Sequence, residues 1–296
     1  MHIEEIAIRD FGLVFGQQFC IYDTNRFCVV SEHNARAMRA LAMYDESGHA
    51  VCGQIFGLKD DGMWHAPFSA PFSAPSGTVT PETVNTFYTL AAKWLDTDLV
   101  LVWPPMVYNP PVQPTDPQAI VDVNYHYPMD RFANYEQYLS RSGRYNHHRW
   151  QKHKFECVHT TDVNRTYSII ERNRKAMGYP LAMSQLAVNT TLTVVRMHFF
   201  ILFCEGEEAA AAIIYETAPG IVQVIYWGDL PQFRGMRAMN ALAYLVFKWF
   251  ADVRPDIHTI DIGPASTLGV RNQGLCDFKE SIGCVATPKF TLTIQH

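Results

Sequence analysis

At 296 residues, 48% of them hydrophobic, the chain can bury the core of one large domain or of two ordinary ones. Charged residues make up only 18%, and the net charge of −5 argues against a dedicated nucleic-acid binder while leaving room for a local basic groove. Seven cysteines, at positions 20, 28, 52, 157, 204, 276 and 284, form no CxxC pair and leave one over, which disfavours a disulfide framework and a zinc site. The first residues, Met1 to Glu5, lack the basic-then-apolar form of a secretion signal. The best apolar run, Met197–Cys204, is far shorter than the ~20 residues that cross a bilayer. The expectation is a cytoplasmic protein with no membrane span and no metal.

In chain order, residues 27–30 read as a strand, and Ser31 to Asn34 as the cap of a short helix over 35–43. Residues 50–58 read as another strand. Next comes a tandem tetrapeptide, Ala66-Pro-Phe-Ser69 and Ala70-Pro-Phe-Ser73, whose prolines forbid helix or central strand. It reads as an extended loop, either anchored by its two phenylalanines or lining a cleft. Thr80 and Pro81 start a helix that runs to about residue 95, followed by a strand over 98–103 and a proline-rich linker or surface loop over 108–117.

Residues 129–154 read as one helix, with most of its positive charge in 141–154. Arg141, Tyr145 and Arg149 fall four apart, as do Arg144, His148 and Lys152. These stripes are either a solvated face or a receiver for a nucleotide tail or RNA phosphate. His147, His148 and His153 have neither the spacing nor a neighbouring carboxylate for a metal site. A strand over 155–160 and a helix over 163–177 follow, the latter ended by Gly178 and Pro180. After a helical or mixed segment over 181–196, strands at 199–204 and 209–215 lead to the stretch around which the chain is organised.

That stretch is Ile221 to Asn240. Its first eight residues are nearly all apolar, β-branched or aromatic, as in a buried strand. Asp229, Leu230 and Pro231 break the run. From about Gly235 to Asp252 a helix shows apolar residues at Met236, Met239, Ala243, Val246, Phe247 and Phe250. The turn between them, Gln232 to Arg237, precedes a helix N-terminus whose first N–H groups lack partners and whose dipole favours anions. Arg234 and Arg237 add guanidinium donors, and glycine permits close approach to the backbone. The turn is either a phosphate cradle or an ordinary strand–helix connection.

A second strand, over 258–264, and the segment Asn272 to Gly283 complete a pattern that resembles the GNAT acyltransferase superfamily in its FemAB-like branch. In GNAT enzymes the cofactor turn reads Gln/Arg-x-x-Gly-x-Gly/Ala; Gln232 and Gly235 match it, and Arg237 holds the last, small-residue position. Asp261, Gly263, Gly274, Leu275, Phe278, Lys279 and Gly283 fit the branch's Asp-x-Gly and Gly-Leu-x-x-Phe-Lys-x-x-x-Gly segments. FemAB-like proteins are built from two GNAT-like halves, and Lys93-Trp94-Leu95 echoes Lys248-Trp249-Phe250.

The resemblance implies an α/β (α+β) fold of two GNAT-like halves, 1–128 and 129–296, each a mixed, mainly antiparallel sheet flanked by helices. It implies acyl transfer to a small-molecule or peptide amine, with acetyl-CoA or another acyl-CoA as co-substrate. Tyr226 and Asp261 are then candidates for proton transfer. Trp227, Gln232, Arg234, Gly235, Met236, Arg237, Asn272 and Lys279 are candidates for holding the donor. A core tyrosine, a turn-capping aspartate and a structural lysine are the plain alternatives for Tyr226, Asp261 and Lys279. An aminoacyl transferase using charged tRNA, through the basic helix 141–154, and a non-catalytic ligand-binding protein are the other readings.

Overall fold

The structure, a computed structural model, describes residues 1–114 and 116–296. Thr115, within the proline-rich stretch 108–117, lies outside the described residues. The chain divides into two compact units: Met1–Val123 with Leu268–Val270 and Pro288–His296, and Asn124–Thr267 with Arg271–Thr287.

In the first unit β1 (His2–Ile6), α1 (Phe11–Phe15), α2 (Asn25–Val30), β2 (Ala37–Tyr44), β3 (Ala50–Leu58), β4 (Trp64–Ala66), β5 (Ser76–Gly77), α3 (Pro81–Leu95) and β6 (Leu99–Val102) follow one another. Strands β1, β2, β3 and β4 pair antiparallel in that order, β4 pairs parallel with β6, and the chain's last strand returns antiparallel to β6 through residues 291–294. Two expectations change here. Residues 27–30 belong to α2, because the Thr24 hydroxyl accepts from the Phe27 N–H and starts a helical turn. The segment read as a helix over 35–43 is β2. Its Ala, Met and Leu residues favour helix, but pairing with β1 on one edge and β3 on the other overrides that preference.

The tandem Ala-Pro-Phe-Ser loop leads from β4 to β5 in sequence and fills its own space. Phe68 and Phe72 are buried, and Phe72 packs against Tyr22 and Tyr108 with ring centroids 5.2 and 4.6 Å away. The cavity beside it holds only about 10 Å³. This loop is anchored by its phenylalanines.

The second unit contains β7 from Asn124 onward (Ile120–Pro128 in full), α4 (Arg141–Trp150), β8 (Phe155–Thr160), α5 (Val163–Met177), α6 (Gln185–Thr191), β9 (Met197–Cys204), β10 (Glu207–Ala218), β11 (Ile221–Asp229), α7 (Ala238–Val253) and β12 (Thr259–Pro264). Short strands β13 (Ser266–Thr267) and β14 (Val270–Arg271) precede α8 (Gln273–Ser281) and β15 (Val285–Ile294). The sheet order is β7-β12-β11-β10-β9-β8, with β11 and β12 parallel and the other pairs antiparallel. The single helix expected over 129–154 is broken. A 3-10 stretch, Met129–Tyr138, gives way to extended backbone at Leu139, and the Ser140 hydroxyl accepts from the Gly143 N–H to start α4.

Alternation along the strands sends side chains to two helical layers. His198 and Phe200 of β9 meet Trp249 and Phe250 of α7. Tyr226 and Gly228 of β11 face the other layer, where Arg174 and Asn173 of α5 lie against them. In both units the parallel strand pair is joined through a helix, β4–α3–β6 and β11–α7–β12. The mixed, mainly antiparallel sheets flanked by helices are the fold the sequence implied. Among the described residues no helix is long and apolar enough to cross a membrane, and no group of three His, Cys, Asp or Glu side chains is arranged to hold a metal ion.

Candidate functional site

Strands β11 and β12 stay paired for three positions only, Ile221 with Thr259, Val222 with Ile260 and Gln223 with Asp261. Each then follows its other neighbour. β11 keeps its register with β10 to Asp229, after a bulge in which Ile225 is the extra residue, while β12 remains against β7. The fork opens a cleft of about 790 Å³. Val224, Ile225 and Trp227 line it from one strand, Ile262, Gly263 and Pro264 from the other.

Two buried devices hold β12 in its diverging course. Asp261 is fully buried, and its carboxylate accepts hydrogen bonds from Asn124 Nδ2 (2.8 Å), Gln223 Nε2 (2.6 Å) and the Gly263 N–H (2.9 Å). Gly263, with φ of 74°, turns the backbone in a way few other residues accept. Lys279 reaches from α8, and its Nζ donates to the carbonyls of Ile262, Gly263 and Pro264 at 2.9, 2.7 and 2.9 Å. An ammonium has three N–H donors, so these bonds use all of them. Burial lowers the Lys279 pKa to about 8.

At the outer end of β11 the chain enters a 3-10 turn, Pro231–Met236, and then Arg237, which sits in the left-handed region (φ 66°, ψ 41°) as the N-cap of α7. The motif's small-residue position is therefore a left-handed position. An arginine there costs roughly 1–2 kcal/mol of backbone strain, a cost that tends to be kept where a side chain has a task. Arg237 Nε is buried without a partner. No side chain caps α7, no acidic residue occupies its first turn, and the Ala238 and Met239 N–H groups have no acceptor among the described residues. Gly235 has ordinary backbone angles and open space where a Cβ would lie. Neither the conformation nor a neighbour requires glycine there; close approach by a molecule from outside would. Arg234 Nε donates to Asp229 (3.2 Å), whose pKa burial raises and Arg234 pulls back. These features suit phosphate oxygens.

Among the other residues singled out by the sequence, Trp227 and Asn272 line the cleft, Trp227 with its ring edge-on to Phe278 (5.9 Å) and Asn272 while capping α8 through the Leu275 N–H. Gln232 is exposed beside Gly235, and Met236 packs its Sδ near Cys204 Sγ at 3.8 Å. Tyr226 points away from the fork into the α5 layer. Its hydroxyl accepts from the Met183 N–H (3.2 Å), and burial raises its pKa, so it stays a phenol that can give a proton but not take one. The structure thus gathers Trp227, Arg234, Asn272 and Lys279 at the cleft and Arg237 beside it, with Asp261 beneath and Tyr226 behind. A smaller cavity of about 370 Å³ adjoins the turn, with Ser142 and Asn146 of α4, Arg237 and Ser281 in its lining.

Sequence reading missed Arg174 and Asn173. Asn173 Nδ2 donates to the Asp229 carbonyl (2.6 Å), and Arg174 lines the cleft. Neither lies in a motif, and an arginine in the last turn of a helix is already explained by the helix dipole.

No protein-family model and no curated protein matches this sequence. Solved structures do match. FemX superposes with a TM-score of 0.64 at 9% identity, over 98% of this chain and 97% of that one. L-PGS from Bacillus licheniformis gives 0.56 at 14% identity, over 97% and 90%. A tandem GNAT protein from the clavulanic acid biosynthesis pathway, solved without AcCoA, gives 0.54 at 13% identity, over 99% and 98%. The chain shares the fold of these structures, the GNAT fold in its FemAB-like form.

Proposed function

We propose that the protein is an N-acyltransferase that moves an acyl group from acyl-CoA to an amine. The observation that carries this reading is the fork between β11 and β12, ending at an uncapped helix start with an orphan arginine. Transfer to an amine asks for alignment of amine and carbonyl, donors for the developing oxyanion, and a route for the amine proton. The fork answers the first two requirements. Beyond Gln223 the edge of β11 that faced β12 has no strand partner; Asn173 takes the Asp229 carbonyl, and the main-chain groups before it would align a thioester arm and donate to its carbonyl. The N–H groups of Ala238 and Met239, with Arg237 and Arg234, would take the phosphates, and Trp227 would pack on the arm. In this reading Asp261 and Lys279 are positioning residues that hold the fork open, and Tyr226 anchors the wall behind it.

The test is calorimetry of acetyl-CoA with wild type, Arg237→Ala and Gly235→Val, with melting temperatures as control. One charge-assisted bond is worth about 1.5–3 kcal/mol, so Arg237→Ala should weaken binding roughly tenfold to a hundredfold. Gly235→Val should weaken it at least as much and leave melting unchanged, since its side chain meets open space in the free protein. Tighter binding by Arg237→Ala would make the arginine an obstruction. No binding of acetyl-CoA or longer acyl-CoAs at millimolar concentration would remove the reading.

One observation favours a second reading, transfer from aminoacyl-tRNA. Ser142 and Asn146 of α4 line the cavity beside the turn, and Arg141 and Tyr145 of the same helix are exposed. Steeply salt-dependent binding of charged tRNA, lost in Arg141→Ala/Arg149→Ala, would support it over the acyl-CoA reading.

A further inference from the structure

Asn240 is a polar residue on the apolar face of α7. It stands three, seven and ten residues ahead of Ala243, Phe247 and Phe250, in the buried row of the helix, and is itself only 8% exposed. Its side-chain amide makes no hydrogen bond among the described residues, and it lines the cavity of about 370 Å³ beside the turn. Buried polar groups are nearly always paired, so an unpaired one calls for a cause. Asn146 of α4 brings a second free amide to the same lining. Arg237 lines it too, with its Nε buried and unpartnered, a state shared among the described arginines only by Arg174 on the fork side. The neighbouring polar groups are already engaged. Ser281 Oγ donates to the Phe278 carbonyl (2.7 Å), and Asp277 accepts from Gln273 (2.7 Å).

An asparagine amide presents an acceptor beside a donor. That is the complement of adenine, whose 6-amino group donates beside a ring nitrogen that accepts. Guanine offers two acceptors on the corresponding edge and calls for an arginine or lysine instead. Phe278 and Met239 add apolar surface for a flat ring. The cavity shares Asp229, Arg234, Met239 and Phe278 with the fork, so the two spaces meet at the turn. A donor with its phosphates at the turn and its thioester arm in the fork has one part left to place, the nucleoside beyond the phosphates. The acceptor must approach the acyl end within the fork, so it does not compete for this cavity. We propose that the cavity holds the adenine of the donor, read by Asn240 and Asn146. The donor is then a free adenine-nucleotide thioester and not a phosphopantetheine arm carried on a protein. This rests on the acyl-CoA reading of the turn and the fork.

Two calorimetric comparisons keep the proposal separate from that reading. The first uses ADP and purine riboside 5′-diphosphate, which lacks only the 6-amino group, and needs no acyl group. Wild type should bind ADP about tenfold tighter, because losing the amino group leaves a buried amide oxygen unpaired. Asn240→Leu should bring the two ligands within about twofold of each other, and Asn146→Ala should narrow the gap in part. Leucine suits the apolar face of α7, so the melting temperature should not fall. The second comparison sets acetyl-CoA against acetyl-4′-phosphopantetheine. Wild type should prefer acetyl-CoA by about tenfold or more, and Asn240→Leu should shrink that preference by weakening acetyl-CoA alone. Equal affinity of wild type for ADP and its amino-free analogue, or no binding of either at about 10 mM, overturns the proposal even where acetyl-CoA binds. A preference for ADP that survives in Asn240→Leu overturns it as well. Selectivity for ADP that Asn240→Leu abolishes, without any acetyl-CoA binding, keeps the adenine site and removes the acyl-CoA donor. Displacement of ADP by charged tRNA would then assign the adenine to the tRNA's terminal adenosine.

Discussion

Lys279→Met should destabilise the protein by about 3 kcal/mol and remove donor binding with it. The side chain is nearly isosteric in its stem, so packing changes little, but three consecutive carbonyls lose their donor. Each buried acceptor left unsatisfied costs about 1–3 kcal/mol, and release of a buried ammonium from its desolvation offsets part of the sum. For a unit of this size, about 2–4 °C of melting temperature per kcal/mol gives a fall of roughly 6–12 °C. The carbonyls belong to the residues that turn β12 away from β11, so the fork should relax and acetyl-CoA affinity should drop beyond the reach of calorimetry. The plainer alternative is that Lys279 contacts the donor directly. It predicts weakened binding with the melting temperature within about 2 °C of wild type, and that result would end the positioning role.

Lys279 also shows what a sequence can and cannot reveal at this site. The Phe-Lys spacing marked the residue through the resemblance, but its partners are main-chain carbonyls, which carry no side-chain signature. The same holds for Asp261: an aspartate two residues before a glycine is visible, whereas the amides of Asn124 and Gln223 that enclose it come from other strands. The long, strongly periodic elements were legible, as in Val163–Met177 and Pro81–Leu95, because their apolar spacing and caps agree. Legibility failed where local preference and tertiary pairing disagree, as in β2. It failed again where one serine decides a boundary, as Ser140 does within 129–154. Arg174 was beyond reach because its distinction is the absence of a partner, and absence is a property of the folded surroundings.

Gly143→Ala should destabilise the same unit by 2 kcal/mol or more, although alanine is the better helix former by about 1 kcal/mol. Gly143 is buried in α4, where the helix crosses α8, and a Cβ placed on it would lie 1.8 Å from the Ser281 carbonyl oxygen. That neighbour is backbone, so no side chain can rotate aside and the helices must separate by more than an ångström. Overpacking of this kind typically costs about 1–3 kcal/mol, and here it also opens the seam that carries Ser142 and Asn146 on one side and Ser281 on the other. The control is the same substitution at Gly235, where a Cβ meets nothing within 4 Å and φ is ordinary, so Gly235→Ala should leave urea unfolding unchanged. Equal urea midpoints for wild type and Gly143→Ala would mean that α4 and α8 are not held at this separation. In that case α4 would be free to move relative to the turn, and Ser142 and Asn146 would lose their claim to the cavity beside Arg237.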